Sequence, residues 1–180
     1  MPAALDILDD WPVDGPAAAV VGQSGVLAEH GDIERPFLLA SVTKPLVARA
    51  VQVAVEEGAV ELDTAAGPPG STVRHLLAHA SGLAMHSDQV LAKPGTRRIY
   101  SNHGFAVLAD MVQQGSGIDF GRYLSEAVFE PLGMTASRLD GGASAAGFGA
   151  TSTVADLAAF AGDLLRPMTV SAQLHAEAIT

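Results

Sequence analysis

The chain has no cysteine, which removes disulfides, thiolate metal sites and a catalytic thiol from consideration. Lysine is nearly absent too: Lys44 and Lys93 are the only two. Basic residues are outnumbered, 10 against 20 acidic, and the resulting net charge of -10 sets up a field that repels polyanions. Nucleic acid and anionic membrane surfaces are therefore poor partners. No apolar run is long enough for a bilayer, since the longest, Leu46 to Val55, is broken by Arg49 and Gln52. Residues 1–14 carry aspartates and no base, so the basic start and apolar stretch of a secretory signal are missing. On that basis the chain reads as cytoplasmic, with Trp11 and the aspartates around it a surface lead-in.

Several catalytic signatures are missing as well. No Gly-x-Ser-x-Gly elbow occurs: Gly22-Gln23-Ser24-Gly25 and Gly115-Ser116-Gly117 have the wrong spacing. The glycine-rich stretch from Leu139 to Gly149 is not followed by Gly-Lys-Ser/Thr and so is no phosphate loop. Among the histidines only His75 and His79 have ligand spacing, and Leu76 stands where a zinc-protease motif needs glutamate. No metal and no cofactor are expected.

What is present is a one-domain length of 180 residues, 48% hydrophobic and 17% charged, which is globular composition. Ala17 to Gly22 and Val26 to Ala28, joined by Gly22-Gln23-Ser24-Gly25, predict a β-hairpin. Pro36 to Ala40 is a third extended piece or the approach to the first helix. From Val42 to Glu57 apolar residues cover nearly the whole circumference of a helix, which predicts a helix surrounded by protein, capped by Gly58. Such a helix needs cover that the rest of the chain hardly supplies. Pro45 fits only if the helix begins near Ser41.

Further helices are predicted over Val73–Ala80, over His103–Gln114 behind a Ser101 or Asn102 cap, and over Phe120–Phe129 behind Asp119. Thr153 with Asp156 resembles a capping box opening Val154–Leu165, which Pro167 ends, and Ser171 starts one more helix. Two places carry chemistry. At Ser41-Val42-Thr43-Lys44, residues three apart share a helix face, which sets an amine beside a hydroxyl, one route to an activated nucleophile. Ser41 is equally a good helix cap. At Tyr100-Ser101-Asn102, a phenol and an amide at a helix mouth suit proton relay and carbonyl binding, or else packing and capping.

Taken with Val73-Arg74-His75-Leu76-Leu77-Ala78-His79-Ala80-Ser81-Gly82-Leu83, Pro94-Gly95-Thr96, Pro131-Leu132-Gly133-Met134 and Thr151-Ser152-Thr153 with Asp156-Leu157, the two motifs occur in a family's order. Over roughly residues 18–180 the chain resembles the serine β-lactamase and penicillin-binding protein superfamily, in the branch of class C β-lactamases, DD-peptidases and related esterases. The resemblance implies an α+β, β-lactamase/transpeptidase-like fold, a helical cluster plus antiparallel sheet, with residues 1–16 as lead-in and 17–180 as the domain. It implies a serine hydrolase acting on an ester or amide through an acyl-enzyme. Ser41 would be the nucleophile, Lys44 its activating partner, Tyr100 the proton shuttle and Asn102 a binder of the substrate carbonyl. A small molecule or peptide is the implied substrate.

One family element has no counterpart here. Lys-Thr-Gly or His-x-Gly, on a late strand, supplies a cationic wall and part of the oxyanion hole, and Lys93-Pro94-Gly95 precedes the tyrosine motif. The expectation is an incomplete domain without its C-terminal strands, with a further segment or a partner chain completing the sheet. The alternative is a catalytically inactive binding or scaffold protein of the same fold.

Overall fold

A computed structural model of the protein describes residues 2–179. In chain order, α1 (Pro2–Leu5) and a 3-10 turn (Asp6–Asp10) precede a hairpin of β1 (Ala18–Gly22) and β2 (Gly25–His30). β3 (Phe37–Leu38) passes through a 3-10 turn (Ala40–Val42) into α2 (Thr43–Glu56). Then come α3 (Val73–Leu77), α4 (Asn102–Ser116) and α5 (Phe120–Leu124). β4 (Arg138–Leu139), β5 (Ala150–Ser152), α6 (Val154–Leu165) and α7 (Ala172–Ala178) complete the order. This is the helical cluster plus antiparallel sheet that the family resemblance implies.

The strands form two sheets among the described residues. β1 and β2 pair antiparallel from Ala18 with His30 to Gly22 with Gly25, with a bulge between Val20 and Val21. β5 lies between β3 and β4, antiparallel to both. One further bond, from Leu39 N–H to the Ala150 carbonyl at 2.9 Å, carries the β3–β5 pairing up to the start of α2.

α2 is the axis of the core. Leu46, Val47, Ala50, Val51 and Ala54 are fully buried, which matches an apolar circumference. The expectation that this helix would lack cover is overturned. Phe105, Leu108 and Val112 of α4, Phe120 and Leu124 of α5 and Val128 beyond it all belong to the same buried cluster. Arg49, which looked like an interruption, is itself buried: its Nε faces Asp163 Oδ2 of α6 at 3.0 Å. The Nε–H does not point along that line, so the contact is an ion pair rather than a hydrogen bond. Gly58, just past α2, takes the left-handed φ of 73° that a helix stop asks of glycine.

The predicted helix over Phe120–Phe129 changes pitch partway. After Leu124 it widens into a π-turn over Ser125–Phe129, with Glu130 N–H donating to the Ser125 carbonyl at 2.9 Å. Residues five apart stack in a π-turn. Leu124 and Phe129, which an unbroken α-helix would turn apart, are thereby both buried. α3 stops at Leu77, short of the predicted Ala80, because His79 adopts a left-handed φ of 55°. No helix among the described residues is long and apolar enough to cross a membrane.

Candidate active site

Ser41 stands where a strand turns into a helix. The preceding residue, Ala40, has φ 45°, a conformation that costs a non-glycine residue about 1–3 kcal/mol and persists only where its surroundings impose it. Those surroundings are the β3–β5 ladder on one side and α2 on the other. Thr43, in the first turn, has no exposed surface, and its Oγ1 accepts the Ala150 N–H at 3.0 Å, tying the start of α2 to β5. Ser41 itself is exposed, at the positive end of the α2 dipole.

Lys44 lies beneath it, 5% exposed. Its Nζ donates to Ser41 Oγ (3.2 Å), Asn102 Oδ1 (2.6 Å) and the Gly147 carbonyl (2.6 Å). An ammonium has three donors, so all are used. Nζ is also 4.4 Å from the centre of the Tyr100 ring and 5.6 Å from that of Phe105. All four residues singled out in the sequence therefore meet around one amine.

Tyr100 is 42% exposed. Partial burial works to raise the pKa of its phenol, but polar interactions with Lys44 and Ser41 and the Lys44 charge outweigh it, and the net shift is downward. The other tyrosine, Tyr123, goes the opposite way: burial and its 2.6 Å hydrogen bond to Glu57 Oε2 push it well above the ordinary phenol range. The same residue type is thus set up for titration in one place and for packing in the other.

Ser101, not Asn102, caps α4. Its Oγ accepts the Gly104 N–H at 2.9 Å and donates to the Ala84 carbonyl at 2.7 Å. Asn102 is left to face Lys44. Gly147, which the sequence marked only as part of a glycine-rich loop, joins the site because its backbone closes on Asn102: a Cβ there would sit 3.0 Å from Asn102 Cα. Beside Asn102 opens a cleft of about 170 Å³ lined by His86, His103, Ala106, Ser144 and Phe148. His75 and His79, spaced like metal ligands, have separate partners: Thr72 Oγ1 lies 3.0 Å from His75 Nδ1, and the Ser101 N–H donates to His79 Nδ1. The capping-box reading at α6 is half met. Thr153 Oγ1 accepts the Asp156 N–H, but the Asp156 carboxylate turns to the Ala136 N–H and the Ser137 hydroxyl.

Comparison with known proteins identifies the family and the fold. The Beta-lactamase family model matches residues 15–180. A beta-lactamase of Mycobacterium bovis, known from its crystal structure, is 76% identical and superposes with a TM-score of 0.97 over 98% of this chain and 65% of that one. Penicillin-binding protein 4* of Bacillus subtilis (strain 168) is 28% identical over 136 residues, 57% of this chain and 30% of that protein. A penicillin binding protein from Bacillus halodurans, at 22% identity and TM-score 0.84, covers 97% of this chain and 76% of its own and shares the fold. This chain thus spans just under two thirds of the Mycobacterium bovis chain and under a third of the Bacillus subtilis protein. It belongs to the beta-lactamase family, within the serine β-lactamase and penicillin-binding protein superfamily.

Proposed function

We propose that this protein is a serine hydrolase that opens an ester or amide, whether β-lactam, peptide or small carboxylic ester, through an acyl-enzyme on Ser41. The observation that carries the reading is the Lys44 amine, buried and held between Ser41 Oγ and Asn102 Oδ1, with the Tyr100 phenol beside it. Ser41 Oγ attacks the carbonyl carbon, and its proton passes to the Lys44–Tyr100 pair, which accepts it in the form that holds one proton fewer than ammonium plus phenol, as a neutral Lys44 amine or a Tyr100 phenolate. The pair returns the proton to the leaving alkoxide or amine as the old C–O or C–N bond breaks. Water then attacks the ester on Ser41 by the same route in reverse, releasing a carboxylic acid and restoring the hydroxyl.

Each group has a part suited to its surroundings. Asn102, with its oxygen engaged by Lys44, turns its amide N–H groups to a substrate carbonyl. The α2 N-terminus favours the negative charge that develops at Ser41. A downward-shifted phenol is a better proton carrier near neutral pH than an ordinary one. The cationic wall and part of the oxyanion hole, each donor of which is worth roughly 2.7–4 kcal/mol in the transition state, come in this reading from a further segment or a partner chain. Support for that is the unmatched third of the Mycobacterium bovis chain and a β1–β2 hairpin with no fully buried residue.

The test is covalent labelling of the full-length protein with a fluorescent penicillin and with a fluorophosphonate probe. Labelling by at least one of them, lost in Ser41→Ala, is the expected result. Failure of both probes on folded protein would sink the proposal and leave the inactive scaffold as the reading.

A further inference from the structure

Three contacts run from one residue, His79, onto three consecutive ones, Ile99, Tyr100 and Ser101. The His79 carbonyl accepts the Ile99 N–H at 2.7 Å. Its imidazole Nδ1 accepts the Ser101 N–H at 3.2 Å. Its ring lies against the Tyr100 ring, centres 4.5 Å apart and planes tilted by 34°. The backbone is thus gripped on both sides of Tyr100, and the phenol ring is supported between.

His79 is not an ordinary packing residue. It is 7% exposed and, with Ala40, is one of two non-glycine residues of positive φ among the described ones. Such backbone strain gathers at functional sites because only an over-determined surrounding holds it. The other strained residue adjoins Ser41. Both therefore flank the groups on which the proposed chemistry depends.

We propose that His79 is a positioning residue that holds the Tyr100 phenol at the Ser41–Lys44 pair. The positioning itself is a statement about geometry; its effect on rate rests on the proposed role of Tyr100 as proton carrier. For Nδ1 to accept a hydrogen bond, the imidazole must be neutral with its proton on Nε2. Its surroundings enforce that: burial, then the charges of Lys44 and Arg98, hold its pKa down at about 4. The groups that face Tyr100 in turn are Lys44, Ser41 and His79. A neutral His79 supports the phenol without adding a second cation beside Lys44.

Two substitutions separate the contacts. His79→Phe keeps a ring face and deletes the acceptor; His79→Asn deletes the ring, keeps a polar side chain and tolerates left-handed φ. The full-length protein is labelled with carbon-13 at tyrosine Cζ, and the Tyr100 resonance, assigned with Tyr100→Phe, is followed against pH. In parallel, kcat and KM are measured across pH with p-nitrophenyl acetate. The Tyr100 titration is expected below the ordinary phenol range in the parent and shifted upward in both variants. With the shift, kcat should fall about 10-fold to 100-fold, as for a misplaced reacting group, while KM stays within about twofold.

An unmoved Tyr100 titration in a folded variant would overturn the proposal, and whichever variant folds is sufficient to decide it. Full activity of Tyr100→Phe would instead overturn the proton-carrier reading. In that event the titration of the His79 variants still decides whether His79 positions the phenol.

Discussion

Arg49→Met removes one half of the buried pair that joins the middle of α2 to the end of α6. Arg49 is 2% exposed and Asp163 0%, with Nε and Oδ2 3.0 Å apart. At an effective dielectric constant near 20 the attraction over that distance is about 5 kcal/mol. Desolvating two ions costs several kcal/mol each, so the intact pair contributes little net stability. Burial indeed outweighs the attraction of Asp163 and Glu56 at Arg49, whose pKa is lowered from its ordinary value.

Breaking the pair is a different matter. Methionine fills similar volume but leaves a carboxylate fully buried, with the Met168 and Thr169 N–H groups and the Thr169 hydroxyl as its remaining donors. It also gives up the Arg49 contacts to Gln52 Oε1 and His175 Nδ1. The expected loss is about 3 kcal/mol, at the low end for a broken buried pair because three donors still hold the carboxylate. Asp163→Ala should cost more, about 4–5 kcal/mol, since it leaves the buried guanidinium without its counter-charge and those donors without an acceptor. Urea unfolding of the full-length protein at pH 7 gives each value from the midpoint shift at constant m. Arg49→Met within about 0.5 kcal/mol of the parent, the range of ordinary surface substitutions, would refute the reasoning.

Two further outcomes are expected. The folded-state pKa of His79, about 4, lies below its ordinary 6.5. The stability it contributes is therefore complete above pH 6.5 and is lost as pH falls toward 4, by about 2.5 kcal/mol at pH 4.5. Urea midpoints at pH 7 and pH 4.5 should converge by that amount in His79→Asn relative to the parent; equal acid losses in both proteins would count against it. Gly147→Ala sets a Cβ 3.0 Å from Asn102 Cα, where backbone must move, and both residues hold Lys44. A loss of about 1 kcal/mol in stability and about tenfold in kcat/KM on p-nitrophenyl acetate is expected, and a parental rate would show the contact to be slack.

What could be read from the sequence follows the range of the interactions. The hairpin, the α6 helix and the meeting of Ser41 with Lys44 depend on neighbours a few residues apart, and all three are observed. The burial of Arg49 was not legible because it depends on Asp163, far along the chain, and a lone arginine in an apolar run looks the same whether or not a carboxylate waits for it. Gly147 was missed for a like reason: it acts through its carbonyl, which every residue type has. The cover of α2 was underestimated because the apolar residues of α4, α5 and the π-turn, such as Phe105, Leu108, Phe120 and Leu124, are scattered along the chain and add up to a core only once folded together.

The assignment of the α4 cap shows how burial settles what residue preference leaves open. Serine and asparagine are about equally good caps, and Ser101 and Asn102 are adjacent, so local chemistry gives no reason for one over the other. Lys44 supplies the reason. A buried ammonium with an unmet donor is costly, and the structure offers Lys44 three acceptors: Ser41 Oγ, the Gly147 carbonyl and Asn102 Oδ1. If Asn102 capped α4, its Oδ1 would be spent on the helix and one Lys44 donor would lose its partner. With Ser101 as the cap, Oγ serves Gly104 and the Ala84 carbonyl, and every one of these groups is satisfied. The need to pair a buried amine thus fixes the start of α4, and with it brings Asn102 to the Lys44 amine that also holds Ser41.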